Sequence, residues 1–386
     1  MLIYIAIFLY LITITYIYDY RNDKRYLKLN YVISCIILIA VAGLRYRIGY
    51  DTNNYMDSFE SAIPLSEIID GRKFKGDPLW VYINGLAKEI YNDFFVVQII
   101  QAIIVNGAIF WFIRRHSPKP FLAVLLYFLL LWWNLCFEAM REAIAVAFFL
   151  FALDGLLLNK GLIRYYLRVW PAFLAHSFGF VTLIFPFIKF LKIKKFAIIY
   201  LIGIVVLSYF VKDYLNNLSV VFEMTSDMAS DKATKYLESD TYGESNLSIS
   251  GIISMFVGGI LPCIPIIASL KNKTILGKTN LIPFVFIYIC IVILRMQIPI
   301  FFRFLNYFEL LVIVAFTQVL YLERKKIKVQ LAYVSMALMV LVRMYSLTAY
   351  DVGTKVRAYH RYVPYNSIFQ RNYNKESETI FNSNNT

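Results

Sequence analysis

The chain has 386 residues, of which 60% are hydrophobic and 17% are charged, and its mean hydropathy is +0.61. A soluble domain is roughly 45–50% apolar and about 25% charged, so this composition excludes an ordinary soluble protein. The formal net charge of +14 comes from short basic clusters between apolar segments, a pattern typical of cytoplasmic loops and not of a nucleic-acid-binding face. We therefore predict an all-α, polytopic membrane protein with no nucleic-acid partner.

Eleven or twelve membrane crossings are predicted, because a straight crossing needs about 17–25 apolar residues. The apolar segments, in chain order, are 2–18, 30–44, 94–113, 119–134, 141–158, 162–190, 195–212, 249–270, 280–298, 304–322 and 329–347. The first segment has no basic start and no small-residue cleavage site, so we interpret it as a retained helix.

Basic clusters decide the orientation, since Lys and Arg are enriched in cytoplasmic loops. A single crossing over 162–190 would leave the Lys189–Lys195 cluster outside. We therefore predict a break: Tyr165–His176 rises as a half-helix, the chain turns near Ser177–Gly179, and Phe180–Phe190 returns. Residues 1–347 then form one transmembrane domain. Both termini, the loops 45–93 and 213–248, and the tail 348–386 lie outside, and the end of the tail is expected to be disordered.

Two predicted site segments are rich in arginine. Arg45, Arg47 and Asp51 follow the second apolar segment, and arginine's planar fork matches phosphate oxygens. The alternative is a basic stop at a helix end with Asp51 capping the next turn. Arg141 begins another apolar segment between Glu138 and Glu142, either as a functional residue or as part of a neutralised cluster.

The other two candidates are a histidine and an arginine. His176 lies at the predicted break and can act as a general base, although a lone helical histidine more commonly hydrogen-bonds a neighbour. Arg303 precedes Asn306 and Glu309 on nearly one helix face, with Arg295 nearby, and snorkelling to the interface is the alternative. The four cysteines lie in apolar stretches without metal-ligand spacing, and the sequence has no Walker P-loop and no HExxH motif. We therefore expect no metal site and no cofactor.

These segments resemble Wzy-type polysaccharide polymerases of the EpsG-like branch. Residues 44–55 fit an R-x-G-x-D-x-x-x-Y pattern, here Arg47, Gly49, Asp51 and Tyr55. Met140–Ala145 resembles an R-Q-x-I-A helix start, with Glu142 where glutamine is usual. Tyr165–Ser177 resembles a Y-Y…A-x-x-F-H-S segment, with Ala175 in place of phenylalanine. Two further features add to the likeness: Arg303 precedes a Tyr-Phe pair, and the tail contains the segment Val363–Phe369.

The resemblance implies an enzyme of the bacterial cytoplasmic membrane whose active site faces outward. Its substrates would be undecaprenyl-pyrophosphate-linked oligosaccharides, polymerised into O-antigen, capsule or exopolysaccharide with release of undecaprenyl pyrophosphate. Arg45, Arg47, Arg141 and Arg303 would bind pyrophosphate or glycan without a metal, and Asp51 or His176 would deprotonate the acceptor hydroxyl. Suggested partners are the lipid bilayer, a chain-length regulator and a flippase.

Two functions of other classes remain open. One is a transporter of lipid-linked oligosaccharide or polysaccharide, for which related halves would be typical, and no internal repeat is evident. The other is a membrane glycosyltransferase or acyltransferase with a different donor.

Overall fold

A computed structural model describes residues 1–188, 196–208, 249–270, 281–298, 301–350 and 356–371. Across these residues the protein is an all-α, multi-pass membrane protein, as predicted, and five of its helices are long and apolar enough to span a bilayer. The chain divides into two compact units, Met1–Pro186 with Met344–Thr386, and Phe187–Arg343. The predicted loop 213–248, the cluster Lys189–Lys195 and the end of the tail lie outside the described residues. The boundary at residue 347 stays a prediction.

The first unit contains nine α-helices within the described residues, and the division between the units crosses a tenth, α10, after Pro186. They are α1 (Leu2–Thr15), α2 (Leu27–Gly43), α3 (Thr52–Glu60), α4 (Leu65–Ile69), α5 (Pro78–Ile90), α6 (Phe95–His116), α7 (Pro120–Leu130), α8 (Met140–Leu157), α9 (Leu162–Ala175) and α10 (Phe185–Ile188). Helix α1 continues into a π-helical turn, Tyr16–Tyr20, and a second such turn, Asn134–Glu138, precedes α8. Helices α3, α4 and α5 all lie in the predicted outer loop 45–93.

The core of the first unit is built around α6 and α8, which pack against each other and against α2 and α9 respectively. Gly43 allows the close approach of α2 to α6, because a Cβ there would lie 2.9 Å from Ile99 Cγ1. Tyr31 on α2 donates a hydrogen bond of 2.7 Å to the carbonyl of Phe110 on α6. Such contacts satisfy polar groups inside the apolar core, as the membrane environment requires.

The break predicted near residue 176 is confirmed. Helix α9 ends at Ala175, His176 is extended, and a 3-10 helix, Ser177–Ile184, folds back along α9. Gly179 permits this reversal, since a Cβ there would lie 2.7 Å from the carbonyl oxygen of Ala172. The Tyr165 hydroxyl donates a 2.6 Å hydrogen bond to the Thr182 carbonyl and closes the hairpin.

The two ends of the first unit differ in their polar contacts. At one end, Asp154 of α8 accepts from His116 Nε2 at 3.0 Å and pairs with Arg115 at 2.5 Å, which ties α8 to α6. At the other end, the Tyr4 hydroxyl donates to the Tyr362 carbonyl at 3.0 Å, which joins the N-terminal helix to the tail. The N-terminus, the start of α3 and the described tail therefore share one end, opposite the basic end of α6.

The second unit contains α11 (Phe196–Ser208), α12 (Ile249–Met255), α13 (Cys263–Leu270), α14 (Ile282–Gln297), α15 (Phe302–Leu322) and most of α16 (Lys326–Ser346). The division between the two units crosses α16 after Arg343. A π-helical turn, Phe256–Ile260, follows α12. Helix α15 is largely buried, and α14 packs along it after the short connection between them. Helices α14, α15 and α16 alternate in direction, so the end of α14, the start of α15 and the end of α16 lie at one end of this unit.

Candidate functional site

The turn between α2 and α3 is held in place by Arg45, which is fully buried. Its Nε donates to the carbonyl of Ile48 at 3.2 Å, one terminal nitrogen donates to the carbonyl of Ala42, and the other contacts the Met140 sulfur at 3.2 Å. The guanidinium also lies 4.8 Å from the centre of the Phe137 ring. This geometry makes Arg45 a positioning residue that fixes the turn on the start of α8. Its predicted contact with pyrophosphate stays a prediction.

Gly49 has a physical reason to be glycine. Its φ is +108°, and a Cβ at this position would lie 2.5 Å from the carbonyl oxygen of Phe137 and 2.8 Å from Thr52 Oγ1. Its N–H donates to the carbonyl of Arg361 at 3.0 Å. The glycine of the R-x-G-x-D pattern therefore lets the turn approach the π-helical turn before α8.

Glu138, between α7 and α8, connects its own segment to two distant ones, the turn after α2 and the tail. Its Oε2 accepts from the backbone N–H groups of Tyr50 at 2.7 Å and Asp51 at 3.4 Å, and its Oε1 accepts from the Tyr362 hydroxyl at 2.6 Å. Burial raises the pKa of Glu138 above its usual value, although the charge of Arg361 and the hydrogen bonds from Tyr362 and Tyr50 lower it. Glu138 is therefore an anchor for the turn that carries Asp51.

The tail is part of the same site. Tyr46 N–H donates to the carbonyl of Asn366, and Ile368 N–H donates to that of Leu44, both at 2.9 Å. Arg361 lies over the Tyr50 ring, 4.4 Å from its centre. The tail thus forms a short antiparallel pairing with the turn after α2 and brings an additional arginine beside it.

Arg141, in the first turn of α8, contacts two elements of the loop 45–93. Its Nη1 donates to Asp77 Oδ2 at 3.0 Å, at the residue that precedes α5. Its guanidinium also lies 5.7 Å from the centre of the Tyr55 ring on α3. About a third of the Arg141 side chain remains exposed, so it can contact a ligand as well as Asp77.

Arg47 and Asp51 lie on the anchored turn and are both partly exposed. Arg47 has a φ of +50°, a left-handed conformation that costs a non-glycine residue about 1–3 kcal/mol and is found preferentially at functional sites. Asp51 occupies the N-cap position of α3, where no side-chain capping hydrogen bond is found within the described chain. Arg47 and Asp51 thus lie on the turn whose backbone Glu138 holds, and Arg141 follows Glu138 by three residues at the start of α8.

His176 lies at the same end of the first unit. Arg168 Nη1 donates to the carbonyl of Phe151 at 3.5 Å, and this antiparallel register puts the end of α9 near the first turns of α8. The Nδ1 atom of His176 accepts a hydrogen bond from the N–H of Phe178 at 3.1 Å, and the His176 ring stacks on that of Phe178. Nδ1 is therefore unprotonated and the neutral imidazole carries its proton on Nε2. This tautomer donates from Nε2, whereas a base would need a lone pair there.

Arg303 belongs to the second unit, in the first turn of α15, with its guanidinium 5.4 Å from the centre of the Phe302 ring. Asn306 and Glu309 below it are buried, and Glu309 pairs with Arg343 of α16. Arg303 is accordingly the one predicted site residue that lies in the second unit.

Sequence reasoning missed three contributors to the site, Asp77, Arg361 and Tyr362. The sequence left open whether Arg141 belongs to a neutralised cluster with Glu138 and Glu142. In the structure Glu138 accepts from Tyr50 and Tyr362, and Arg141 pairs with Asp77. The sequence held one signal for the two tail residues. The segment Val363–Phe369 resembles the family, and this likeness indicated a role for the residues beside it.

Comparison with known proteins gives one match. The model of the EpsG family matches residues 28–367, a range that includes α2, the anchored turn, the first turn of α8, the break at His176 and the tail as far as Ser367. No curated protein and no solved structure matches the chain.

Proposed function

The chain belongs to the EpsG family, and from this membership we propose that it is a Wzy-type polymerase of the bacterial cytoplasmic membrane. It joins lipid-linked oligosaccharide repeats at the outer face. Family membership and the multi-pass fold support a membrane role in polysaccharide biosynthesis. The specific reaction is inferred from the chemistry of the site.

In the proposed reaction, a hydroxyl oxygen at the non-reducing end of an acceptor repeat attacks the anomeric carbon of the donor glycan. The bond from that carbon to the pyrophosphate oxygen breaks, and its electron pair leaves with undecaprenyl pyrophosphate. The hydroxyl proton passes to a carboxylate of the protein. The growing glycan is thereby transferred onto a new lipid-linked unit.

The observation that carries this proposal is the convergence of arginines on one anchored turn. Arg47 lies on the turn, Arg141 starts the adjoining helix, and Arg361 is brought by the tail over Tyr50. Positive groups held in place before reaction stabilise the charge that develops on a leaving pyrophosphate, without reorganisation during the reaction. Arginine suits this role because its fork can contact two phosphate oxygens at once.

Asp51 is the proposed base. Its backbone N–H is fixed by Glu138, and its carboxylate is carried on the same turn as Arg47. His176, the other predicted base, has its Nδ1 lone pair occupied by Phe178 N–H, so we assign it a hydrogen-bond donor role through Nε2. A positioned base typically contributes about 10²–10⁴-fold in rate.

An outward-facing polymerase needs other proteins to supply its substrate and to set the length of its product. Repeats assembled on the cytoplasmic side need a flippase to reach an outward-facing site, and the length of the product needs a chain-length regulator. We propose both as partners, together with the bilayer, which would hold the undecaprenyl chains between helices.

A comparison of cells with and without the gene tests this function. Loss of the protein should remove long glycans and leave single lipid-linked repeats exposed at the outer face. Retention of those repeats on the cytoplasmic side would instead indicate a transporter. Unchanged glycan length with a missing substituent would indicate a transferase with another donor. Either of the last two results contradicts the polymerase assignment.

A further inference from the structure

The end of the first unit opposite the proposed site has a groove that the polymerase chemistry does not use. Helix α8 is buried along its length except at Arg141, Phe148 and Phe151. Phe151 is 37% exposed, and the Trp111 ring of α6 lies against the Phe151 ring, with 4.8 Å between their centres. Helices α6 and α9 both pack against α8. The two rings therefore form the floor of a groove that runs over α8 between α6 and α9.

An arginine flanks this groove on each side. Arg115, in the last turn of α6, pairs with Asp154 of α8 at 2.5 Å, and 44% of the Arg115 side chain stays exposed. Arg168 of α9 is also exposed and donates from Nη1 to the carbonyl of Phe151 at 3.5 Å. The same nitrogen would lie 3.6 Å from a Cβ on Gly155. One guanidinium from α6 and one from α9 therefore reach adjacent residues of α8.

The groove carries a net positive charge within the described residues. Asp154 balances Arg115, but neither Arg168 nor Lys160 forms an ion pair with the described part of the chain. Lys160 is exposed, and its backbone N–H donates to the carbonyl of Gly155 at 2.8 Å, which places it at the same level of α8. Basic pockets between helices on the cytoplasmic side of a membrane bind anionic lipid headgroups, and arginine's fork matches phosphate oxygens.

A glycine of α6 leaves room for a lipid chain along the groove. Gly107 lies one helical turn before Trp111, and a Cβ at Gly107 would meet nothing else in the described chain within 4 Å. Glycine weakens a helix interior relative to alanine, and no close helix contact requires it here. Ile103, one turn further along the same face, is 52% exposed. An apolar chain can therefore lie against α6 below a headgroup bound at Arg115.

We propose that this groove binds one anionic phospholipid of the leaflet at the basic end of α6, which we predict to be the cytoplasmic leaflet. Its phosphate contacts Arg115, Arg168 and Lys160, and one acyl chain follows Trp111 and Gly107. A zwitterionic lipid has the same phosphate, but the net positive charge of the groove repels its ammonium group. The bound lipid joins α6 to α9 across α8. Its binding does not depend on the polymerase function.

Lipid binding to the full chain tests this site, measured by native mass spectrometry after the protein is delipidated in detergent. The probes are palmitoyl-oleoyl phosphatidylglycerol and phosphatidylcholine, which carry the same two acyl chains. Wild-type protein should bind its first equivalent of phosphatidylglycerol about tenfold or more tightly than phosphatidylcholine. Equal affinity for the two lipids overturns the proposal.

Charge variants assign this preference to the groove. Arg168→Gln with Lys160→Gln should bind phosphatidylglycerol no more tightly than phosphatidylcholine. Arg114→Gln is the matched control and should keep the wild-type preference, because the Arg114 guanidinium lies over Tyr31 of α2, 6.0 Å from the centre of its ring. A preference that survives in the double variant, or one that Arg114→Gln removes as completely, overturns the proposal.

A further variant keeps every charge and covers the case in which the double variant does not fold. Gly107→Leu fills the open space with a residue that favours helix, so the affinity for phosphatidylglycerol should fall about fivefold or more in a folded protein. Gly203→Leu, in α11, is the matched control, since a Cβ there also meets nothing within 4 Å, and it should bind as wild type does. Unchanged affinity in Gly107→Leu, or displacement of the lipid by an equal concentration of glycerol 3-phosphate, would contradict a site that holds an acyl chain and overturns the proposal.

Discussion

The carboxylate of Glu138 accepts a 2.6 Å hydrogen bond from the hydroxyl of Tyr362, although the two residues are 224 positions apart in the chain. The same carboxylate accepts from the N–H of Tyr50 at 2.7 Å. One acidic group therefore positions the turn that carries Arg47 and Asp51 and the tail that carries Arg361. The geometry of the proposed site depends on this connection.

Removing this anchor should destabilise the site. Glu138→Ala leaves Tyr50 N–H and the Tyr362 hydroxyl without their acceptor, and Tyr362→Phe removes one hydrogen bond to a carboxylate, worth about 1.5–3 kcal/mol. We expect lower thermal stability and faster proteolysis of the tail in both variants, with the larger effect for Glu138→Ala. Tyr359→Phe, in the same turn, is the matched control. Equal stability of the Tyr359 and Tyr362 variants would argue against the anchor.

Two variants separate the effect of the close contact at Gly49 from the effect of its positive φ. Gly49→Ala adds a Cβ that meets Phe137 O, and Gly71→Ala adds a Cβ at a φ of +93° with nothing within 4 Å. Both changes should cost about 1 kcal/mol for the positive φ. Only the Gly49 change should displace the turn and reduce elongation strongly. Similar stability and activity in the two variants would show that the contact is unimportant.

The proposed contact of arginines with pyrophosphate predicts that a change of arginine to lysine lowers turnover although the charge is kept. Arg141→Lys should lower the elongation rate by about tenfold or more, because lysine cannot make two parallel hydrogen bonds to phosphate. Arg72 is an exposed arginine of the loop 45–93 that pairs with Glu67, and Arg72→Lys should have little effect. A fully active Arg141→Lys enzyme would exclude a bidentate contact by Arg141.

Much of the fold follows from the sequence, because hydrophobic length and breaking residues determine where helices run. The segment 94–113 corresponds to α6, and the break at His176 occurs where Gly179 and the charge pattern predicted it. The site is harder to predict. Neither the pairing of Glu138 with Tyr362 nor the complete burial of Arg45 leaves a local pattern, since both depend on how distant segments pack. The sequence therefore indicates which residues can carry chemistry but not which of them are buried as supports.

The orientation of the chain in the membrane can be tested by labelling introduced cysteines. Cysteines introduced at Arg72 and Lys160, both exposed and lying in different loops, should report opposite sides of the membrane. We expect an impermeant thiol reagent to label the cysteine at position 72 in intact cells and the one at 160 only after permeabilisation. The reverse pattern would place the arginine cluster in the cytoplasm, where no outward polymerisation can occur.

The assignment of Asp51, and not His176, as the general base predicts different elongation rates for variants of the two residues. Asp51→Asn keeps the shape of the side chain but cannot take a proton, so elongation should fall by about 10²–10⁴-fold while lipid-linked substrate still binds. His176→Gln removes the ring but keeps a side chain that can donate and accept hydrogen bonds, so the loss should be smaller. A severe defect in His176→Gln beside an active Asp51→Asn enzyme would move the base to the break after α9.

The most direct measurement of the central claim is elongation by the purified protein in liposomes, with one lipid-linked repeat as the sole substrate. We predict a ladder of longer lipid-linked glycans and release of undecaprenyl pyrophosphate in equal number to the bonds formed. Asp51→Asn protein, purified to the same folded state, should give almost none. Single repeats that persist unchanged with wild-type protein, or a ladder that Asp51→Asn forms equally fast, would contradict the account.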